Sequence, residues 1–416
     1  MDNVSHAIAG AIVAEALVEL RRRRGRVVAP AFATAAWAVS IVGNNLPDAD
    51  QLYSAITPAP LGYLLHHRGH THTFVLAPLI ALVSYALVAI WARLRGRARS
   101  LSRSLSREDR GWLALLAMLG PVGHIALDAC NDYGVHPLWP FDARWRYGDT
   151  IFIVEPLFWA CALPSLTAAT RSRVGKGAWL IFLGAGLSLA WLAVALGWVP
   201  WVSALALMVV SATSFALARR ASPGVRIAYA SATSLLVLLA FAIGGRGAER
   251  ELRDALARAK PEWETLDVVR TPVPSTPWCW QALAIQRSRD GRSYAIRLAD
   301  VSPVVDASRC ARARDEITAP LVVDDVRARG AIVRASFHAP LDELRASARR
   351  CDVGALLRWS RAPYVVQDPD GSLVVGDLRY DSSPAIEWAE MRVPRDVGAC
   401  PPWVPSWRAP RADLLE

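Results

Sequence analysis

Eight apolar segments, each about long enough to cross a lipid bilayer, occupy most of the first 245 residues. A transmembrane helix needs roughly 17–25 mainly apolar residues, because its backbone groups must bond to one another inside the hydrocarbon. The sequence therefore predicts an α-helical polytopic membrane protein with about eight transmembrane helices. The segments are 4–20, 28–46, 74–93, 111–130, 150–170, 177–196, 199–218 and 226–245.

Basic residues are divided unevenly between the loops that join these segments. Eighteen arginines and lysines fall in alternate loops, and three fall in the loops between them. The positive-inside rule places the richer loops in the cytoplasm, so the opposite loops and the C-terminal region are expected on the periplasmic side of a bacterial inner (cytoplasmic) membrane. The richer loops are 21–26, 93–110, 171–176 and 219–226; the poorer ones contain Arg68, Arg144 and Arg146.

The first apolar segment has two interpretations, because it also contains Glu15 and Glu19. It either spans the membrane or lies as an amphipathic helix on the cytoplasmic surface. It does not resemble a secretory signal, since its basic run follows the apolar stretch. We favour the spanning helix, because it places His6 on the same side as the other histidines.

The formal net charge of +10 would permit a nucleic-acid partner, but its distribution favours a different one. Much of the arginine lies in short loops between apolar segments, where it determines topology. We therefore expect membrane lipid and no nucleic acid as a partner. The Ser-rich basic stretch 94–110 either lies against anionic headgroups or is a solvated loop.

Residues 246–416 are mixed and charged, unlike residues 1–245. Alternating apolar and polar residues predict strands at 279–286 and 293–298, joined by a turn that contains Asp290-Gly291. A second predicted hairpin joins 364–367 to 372–377. The sequence therefore predicts two domains: a transmembrane domain, 1–245, and a soluble extracytoplasmic domain, 246–416, of mixed but mainly β structure.

Four cysteines of the C-terminal region, Cys279, Cys310, Cys351 and Cys400, permit two disulfides with three possible pairings. In a cytosolic domain they would instead be four free thiols. No CxxC pair is present, which makes a zinc ribbon a poor interpretation.

Histidines and aspartates cluster at the ends of apolar segments. Asp48 and Asp50 follow the second segment, His66, His67, His70 and His72 precede the third, and His124 and Asp128 end the fourth. Charged groups at a membrane edge are costly to bury and often mark functional sites. Imidazoles with carboxylates suit a zinc-class divalent ion, so these residues predict a metal site.

Each motif alone also has a structural interpretation. His124 and Asp128 share a helix face at positions i and i+4, where they could form only a hydrogen bond. Asp48 could cap a helix, and a loop with four histidines could bind metal loosely without catalysis. Several carboxylates and imidazoles could hold either one ion or two.

Together these motifs resemble the YdjM-type family of membrane-bound metal-dependent hydrolases over roughly residues 1–160. The resemblance depends on Ser-His-x-x-x-Gly at 5–10, Leu-Pro-Asp-x-Asp at 46–50, His-Arg-x-x-Thr-His at 67–72 and Gly-His-x-x-x-Asp at 123–128. Asp-Tyr-Gly-Val at 132–135, Trp-Pro-Phe at 139–141 and the run at 151–157 extend it. Glu155 stands where the family usually has Asp, and Thr73 where Ser is common.

The resemblance and the residues together imply a metal-dependent hydrolase, expected to cleave an ester or phosphoester of a lipid or lipid-linked substrate at the outer face. Zinc is the expected ion, with manganese as the alternative. Arg68 is expected to neutralise an anionic group or to anchor to headgroups, and His70 to act as a general acid or base or to be a solvated residue. The predicted ligands are His6, Asp48, Asp50, His67, His72, His124, Asp128 and Glu155.

Two other functions remain open at this point. One is a non-catalytic membrane scaffold or lipid-binding protein with a structural metal, which closed coordination would favour. The other is a transporter, since polar residues within helices can mark a pathway. The clustering of the polar residues at one face weighs against transport.

Overall fold

The computed structural model describes residues 1–94, 105–310, 320–368, 370–380, 388–394 and 400–416. Most of the predicted basic stretch 94–110 and Pro369 of the second hairpin turn lie outside these residues. The helices of the first part of the chain are α1 (Asn3–Arg23), α2 (Pro30–Asn45), α3 (Leu61–His66), α4 (Ala77–Leu94), α5 (Arg107–Asp128), α6 (Pro156–Ala169), α7 (Arg173–Ala195), α8 (Trp201–Arg220) and α9 (Pro223–Ala259).

A helix is found at each of the eight predicted apolar segments. Within the described residues, six are long and apolar enough to cross a membrane: α1, α4, α5, α7, α8 and α9. The other two are shorter, since α2 has 16 residues and α6 has 14. The membrane region is therefore confirmed, and its span count of eight stays a prediction.

The basic end of the helical region is held together by a buried ion pair. Arg21, in the last turn of α1, donates to Asp109 at 2.5 Å, and its guanidinium lies 4.4 Å from the ring centre of Phe32 in α2. Asp109 also completes a capping box with Ser106 at the start of α5. Because Arg21 and Asp109 neutralise each other, their burial between three helices is tolerable.

Glycines let α1, α2 and α5 approach closely near the other end. A Cβ atom on Gly120 would lie 2.7 Å from the backbone of Gly43, and one on Gly10 would lie 2.7 Å from the Ser40 carbonyl oxygen. Real side-chain carbons do not approach backbone atoms so closely. These contacts bring the ends of α2 and α5 together. The predicted metal ligands Asp48, His124 and Asp128 lie at these helix ends.

The C-terminal part contains two antiparallel sheets. The first has the strand order β1-β2-β3-β5-β4 and the second the order β6-β7-β8. Both predicted hairpins are present, as β2–β3 and β6–β7, and Gly291 and Gly371 in their turns have positive φ. The mainly β character is thus confirmed. The strands are Trp263–Val273, Thr276–Ser288, Ser293–Val301, Val322–Ala328, Ala331–Pro340, Pro363–Gln367, Leu373–Asp377 and Met391–Val393; the helices are α10 (Leu341–Ala348), α11 (Cys351–Leu357) and α12 (Ala412–Leu415).

Two disulfides stabilise this part of the chain. Cys279 pairs with Cys310 and Cys351 with Cys400, with Cα atoms 5.3 Å and 5.0 Å apart. Of the three pairings that the sequence allowed, the structure forms this one. Cys130 and Cys161 of the membrane region are free.

The last membrane helix is continuous with the C-terminal part. α9 extends through the predicted boundary at residue 245 and ends at Ala259. Its final turns bury Leu252 and Leu256 against Ala284 and Val301 of the first sheet. The helix therefore joins the membrane region to the sheet directly.

The C-terminal part packs against the end of the helical region that carries the histidine motifs. Arg361 makes a bidentate pair with Asp149, at 2.7 and 2.9 Å, and Thr271 donates to Asp132. Both aspartates belong to the loop between α5 and α6. The predicted site and the C-terminal part are thus at one end of the helical region, and the Arg21–Asp109 pair is at the other.

We expect Gly120→Ala to destabilise the protein by about 1–3 kcal/mol, because its methyl group would force α5 away from Gly43. Gly111→Ala is the matched control on the same helix, since a Cβ atom there meets nothing within 4 Å. Thermal unfolding in detergent measures both. Equal effects of the two substitutions would contradict the importance of this contact.

Candidate metal centre

Four ligand atoms from three parts of the chain converge at the ends of α2 and α5. They are His72 Nε2, His124 Nε2, Asp48 Oδ1 and Asp128 Oδ2, and all lie within 4.8 Å of one another. The two imidazole nitrogens are 2.9 Å apart. Each nitrogen lies 3.2–3.5 Å from an oxygen of Asp48 and of Asp128. All four side chains are buried.

Local structure explains why these atoms meet. His124 and Asp128 occupy the last turn of α5 and lie on one face. Asp48 lies on the 3₁₀-helix Leu46–Ala55, which follows α2 directly, and His72 ends the 3₁₀-helix His70–His72. The close approach of α2 and α5 thus sets the position of Asp48 relative to His124.

Hydrogen bonds fix which nitrogen of each ring faces the centre. His124 Nδ1 lies 2.6 Å from the Asn44 carbonyl oxygen, which can only accept, so Nδ1 donates. His72 Nδ1 likewise faces Asp50 Oδ2 at 3.2 Å. Both rings therefore direct Nε2 to the centre, and this outer arrangement is typical of metal-bound histidine.

These distances fit a small divalent cation. Ligands about 2.0–2.2 Å from a tetrahedral zinc ion are separated by about 3.3–3.6 Å. The nitrogen–nitrogen and nitrogen–oxygen separations within the group are 2.9–3.5 Å, and all four atoms lie within 4.8 Å of one another. Two imidazole nitrogens 2.9 Å apart must share a proton or face a cation, since their lone pairs would otherwise repel. The donor set of two nitrogens and two carboxylates therefore fits the predicted ion.

Asp50 organises residues 66–72, which carry four histidines and which we call the histidine loop. Its Oδ1 lies 3.0 Å from His67 Nδ1, and its Oδ2 accepts from the Arg68 backbone N–H at 2.9 Å and from the Thr71 hydroxyl at 2.7 Å. With Asp48, Asp50 and His67 also form a second possible three-ligand group. Asp50 thus orients His67 and His72 and is itself close enough to the centre to bind an ion.

Arg68 is buried beside the ligands and is only 2% exposed. Its Nε lies 3.0 Å from Asp128 Oδ2, and its Nη1 donates to Asn131 at 2.6 Å. Its guanidinium is also 5.0 Å from the ring centre of Tyr133. These contacts place the guanidinium of Arg68 beside the ligands, and its two predicted roles stay predictions.

The remaining predicted residues have different positions. His6 Nε2 lies 3.1 Å from Asp128 Oδ1, and its ring stacks on His124 with centroids 3.7 Å apart. Glu155 accepts hydrogen bonds from the backbone of Leu157 and Ser275 and caps α6. His6 therefore adjoins the group, whereas the contacts of Glu155 join α6 to the C-terminal part.

His70 is half-buried between aromatic rings. Its ring centroid lies 4.7 Å from that of Trp139 and 5.0 Å from that of Trp407. Burial lowers its pKa, so the ring is neutral at neutral pH and could accept a proton. Trp407 lies near the C-terminus and also donates to the Leu65 carbonyl oxygen at 2.8 Å.

The charge distribution leaves one ligand protonated before an ion binds. Burial raises the pKa of Asp48 and Asp50, but hydrogen bonds from the histidines outweigh it and hold both well below the usual range. Burial lowers the pKa of His72, but hydrogen bonds to Asp128, Asp48 and Asp50 outweigh it and raise the pKa to about 10. Burial lowers the pKa of His67.

Several contacting residues were not predicted from the sequence. The Asn44 carbonyl oxygen accepts a hydrogen bond from His124, and the Asn131 side chain accepts one from Arg68. The Tyr63 ring stacks on His67 with centroids 4.8 Å apart. Asn44 lies two residues before the Leu-Pro-Asp motif, and this proximity is the signal that could have indicated it. Nothing in the sequence indicated that Trp407 would reach the histidine loop.

Residues 1–199 match the family described as YdjM inner membrane protein. The resemblance predicted from the motifs is confirmed. The match includes every predicted site residue and ends before the C-terminal part of the chain. No curated protein and no solved structure matches the chain.

We expect purified protein to bind a divalent ion and His124→Ala to lose it, because the substitution removes one of four converging atoms. His66→Ala is the matched control: it removes an imidazole that ends α3 and contacts Tyr53, outside the four converging side chains. Metal content by plasma mass spectrometry, with folding checked by gel filtration, measures both. Equal metal content in the His124 and His66 variants would remove His124 from the ligand set.

We expect ion binding to release about one proton between pH 6 and 8, because His72 must lose its proton before Nε2 can bind. Affinity should then rise about tenfold per pH unit over this range, which lies below the raised pKa of His72. Zinc titration calorimetry in buffers of different ionisation enthalpy counts the proton. Affinity independent of pH would contradict a protonated His72.

Proposed function

We propose that this protein is a membrane-bound metal-dependent hydrolase that cleaves an ester or phosphoester of a lipid or lipid-linked substrate. The observation that carries the proposal is the pair of Nε2 atoms 2.9 Å apart, flanked by Asp48 and Asp128. Such a donor set is costly to bury, and its outer hydrogen bonds hold it in place. Membership of residues 1–199 in a membrane family supports the membrane setting.

His72, His124, Asp48 and Asp128 would hold the ion, zinc first and manganese as the alternative. When bound, a divalent ion supplies Lewis-acid activation of water and of the scissile group. The contacts of Asp50 with Nδ1 of His67 and of His72 hold both rings in their orientations. His6 and Glu155 complete the proposed ligand set only if the coordination expands or rearranges, since Glu155 is bonded to Ser275.

Two residues of the histidine loop would act on the substrate. Arg68 supplies a buried positive charge beside Asp128 and would hold an anionic substrate oxygen. His70, neutral at physiological pH, would accept or donate a proton. Its position between Trp139 and Trp407 would restrict the ring to one orientation.

We infer that the centre faces the extracytoplasmic side. The loops at its end of the helices contain three basic residues, against eighteen in the loops at the other end. The C-terminal part lies on the same side as the centre and carries two disulfides, which are typical of oxidising compartments. A centre at the ends of membrane helices favours a substrate with a lipid portion.

One observation favours the alternative of a non-catalytic scaffold or lipid-binding protein with a structural metal. All four converging side chains are at most 7% exposed, and residues near the C-terminus cover the histidine loop. Closed coordination would stabilise the fold without catalysis. Thermal stabilisation by metal without any turnover would support this alternative.

The test is hydrolysis in mixed micelles by metal-loaded protein. Phospholipid and glycerolipid esters serve as lipid substrates, and a water-soluble nitrophenyl ester and phosphoester serve for comparison. We expect turnover of a lipid substrate, abolished in Asp128→Asn together with metal binding. We expect His70→Ala to retain the metal and to lose at least about tenfold in kcat, as removal of a general acid or base does.

Three outcomes would contradict parts of this proposal. No turnover of any substrate by metal-loaded, folded protein would favour the structural metal. Hydrolysis of the soluble esters alone would exclude the lipid substrate. Full activity in His70→Ala would remove the proposed role of His70 while leaving the metal centre intact.

A further inference from the structure

A second polar site lies at the basic end of the helical region, far from the metal centre. A half-open cavity of about 400 Å³ lies between α1, α2, α6 and α9. Arg22, Arg171 and Arg226 line it, together with Glu15 and Ser165. We call it the basic pocket. Along α1, Arg22 is about 24 Å from His6 at the usual helical rise, so the two sites are separate.

The positive charge of the basic pocket is only partly compensated. Glu15 lies 3.5 Å from Arg22 and accepts a hydrogen bond from the indole of Trp37 at 2.9 Å. These two contacts stabilise the negative charge of the Glu15 carboxylate. Glu19 also lies within 3.7 Å of Arg22. Among the described residues, neither Arg171 nor Arg226 forms an ion pair. The pocket therefore has an excess of two positive charges.

Two buried polar atoms of the basic pocket also lack partners. Within the part of the chain that the structure describes, Ser165 Oγ and Arg226 Nε have no hydrogen-bond partner. Ser165 is 2% exposed and lies in the apolar helix α6. A buried hydroxyl and a buried guanidinium nitrogen without partners are costly, and an anionic oxygen bound between them would satisfy both.

Part of the remaining wall is apolar. Trp37, Ala33, Ala169 and Ile227 contribute apolar surface, and hydroxyl groups come from Thr34, Thr170 and Ser172. An ion such as free phosphate needs no apolar wall, whereas a glycerophospholipid presents a phosphate next to a glycerol backbone and acyl chains. The arginines lie at the ends of membrane helices, which is the depth of headgroups. The volume is also within the usual range for ligand sites.

We infer that the basic pocket binds the phosphate of an anionic glycerophospholipid. Arg171 and Arg226 contact the phosphate oxygens, Ser165 donates to one of them, and the glycerol portion lies against Ala169 and Ile227. This inference is independent of the proposed hydrolysis, because it involves none of the metal ligands. It assigns a lipid-binding site to the end of the helical region opposite the metal centre.

The test is native mass spectrometry of the full chain in detergent, titrated separately with phosphatidylglycerol, with diacylglycerol and with glycerol 3-phosphate. The first carries both phosphate and acyl chains, the second lacks the phosphate and the third lacks the chains. We expect phosphatidylglycerol to bind at least about tenfold more tightly than either. Equal binding of diacylglycerol, or binding of glycerol 3-phosphate at the affinity of the lipid, would overturn the inference.

Variants locate the binding. Arg171→Gln/Arg226→Gln should weaken phosphatidylglycerol binding at least about tenfold, since it removes two charge-assisted contacts. Arg219→Gln/Arg220→Gln is the matched control: it removes the same charge from the same end of the membrane region, at exposed positions that do not line the pocket. An equal loss of phosphatidylglycerol affinity in both variants would show that general surface charge explains the binding, and it would overturn the inference.

A steric variant keeps the test valid if the charge variant fails to fold. Ala169→Phe fills the pocket without changing charge and should also prevent binding, while metal content stays that of the wild type. Wild-type lipid affinity in folded Ala169→Phe would place the lipid elsewhere and overturn the inference.

Discussion

The interaction on which the rest of the centre depends is the burial of three carboxylates and two imidazoles in one small volume. Asp48, Asp50 and Asp128 cannot lie so close to one another without positive charge between them. Arg68 supplies some of it, His72 supplies more when protonated, and a divalent ion would supply the largest share. His124 donates to the Asn44 carbonyl oxygen and Arg68 donates to Asn131, and these hydrogen bonds prevent the His124 ring and the guanidinium from turning away.

The close helix contact beneath the centre follows from the same requirement. Ligand atoms must be placed to within a few tenths of an ångström, and side chains on helices are more rigidly placed than those on loops. The Gly43–Gly120 contact positions α2 against α5, so Asp48 and His124 are set by backbone packing. The histidine loop is less regular, and Asp50 compensates by bonding to three successive parts of it.

Prediction from the sequence succeeded where the pattern was local. Hydropathy located the helices, the Asp-Gly turns located both hairpins, and the i, i+4 spacing placed His124 beside Asp128. It could not specify contacts between distant parts of the chain. The Trp407 indole near the histidine loop, the Ser275 contact of Glu155 and the pairing of the cysteines all depend on how the C-terminal part docks. Glu155 shows this best, because its position in a family motif says nothing about a partner 120 residues away.

The continuity of α9 with the first sheet constrains the order of assembly. α9 joins the membrane region directly to the C-terminal part, and the four converging residues between Asp48 and Asp128 are synthesised before either. The Trp407 indole can therefore reach the Leu65 carbonyl oxygen only after the residues of the centre are already present in the chain. Docking of the C-terminal part is thus a late step of folding, whereas the packing of α2 against α5 can precede it.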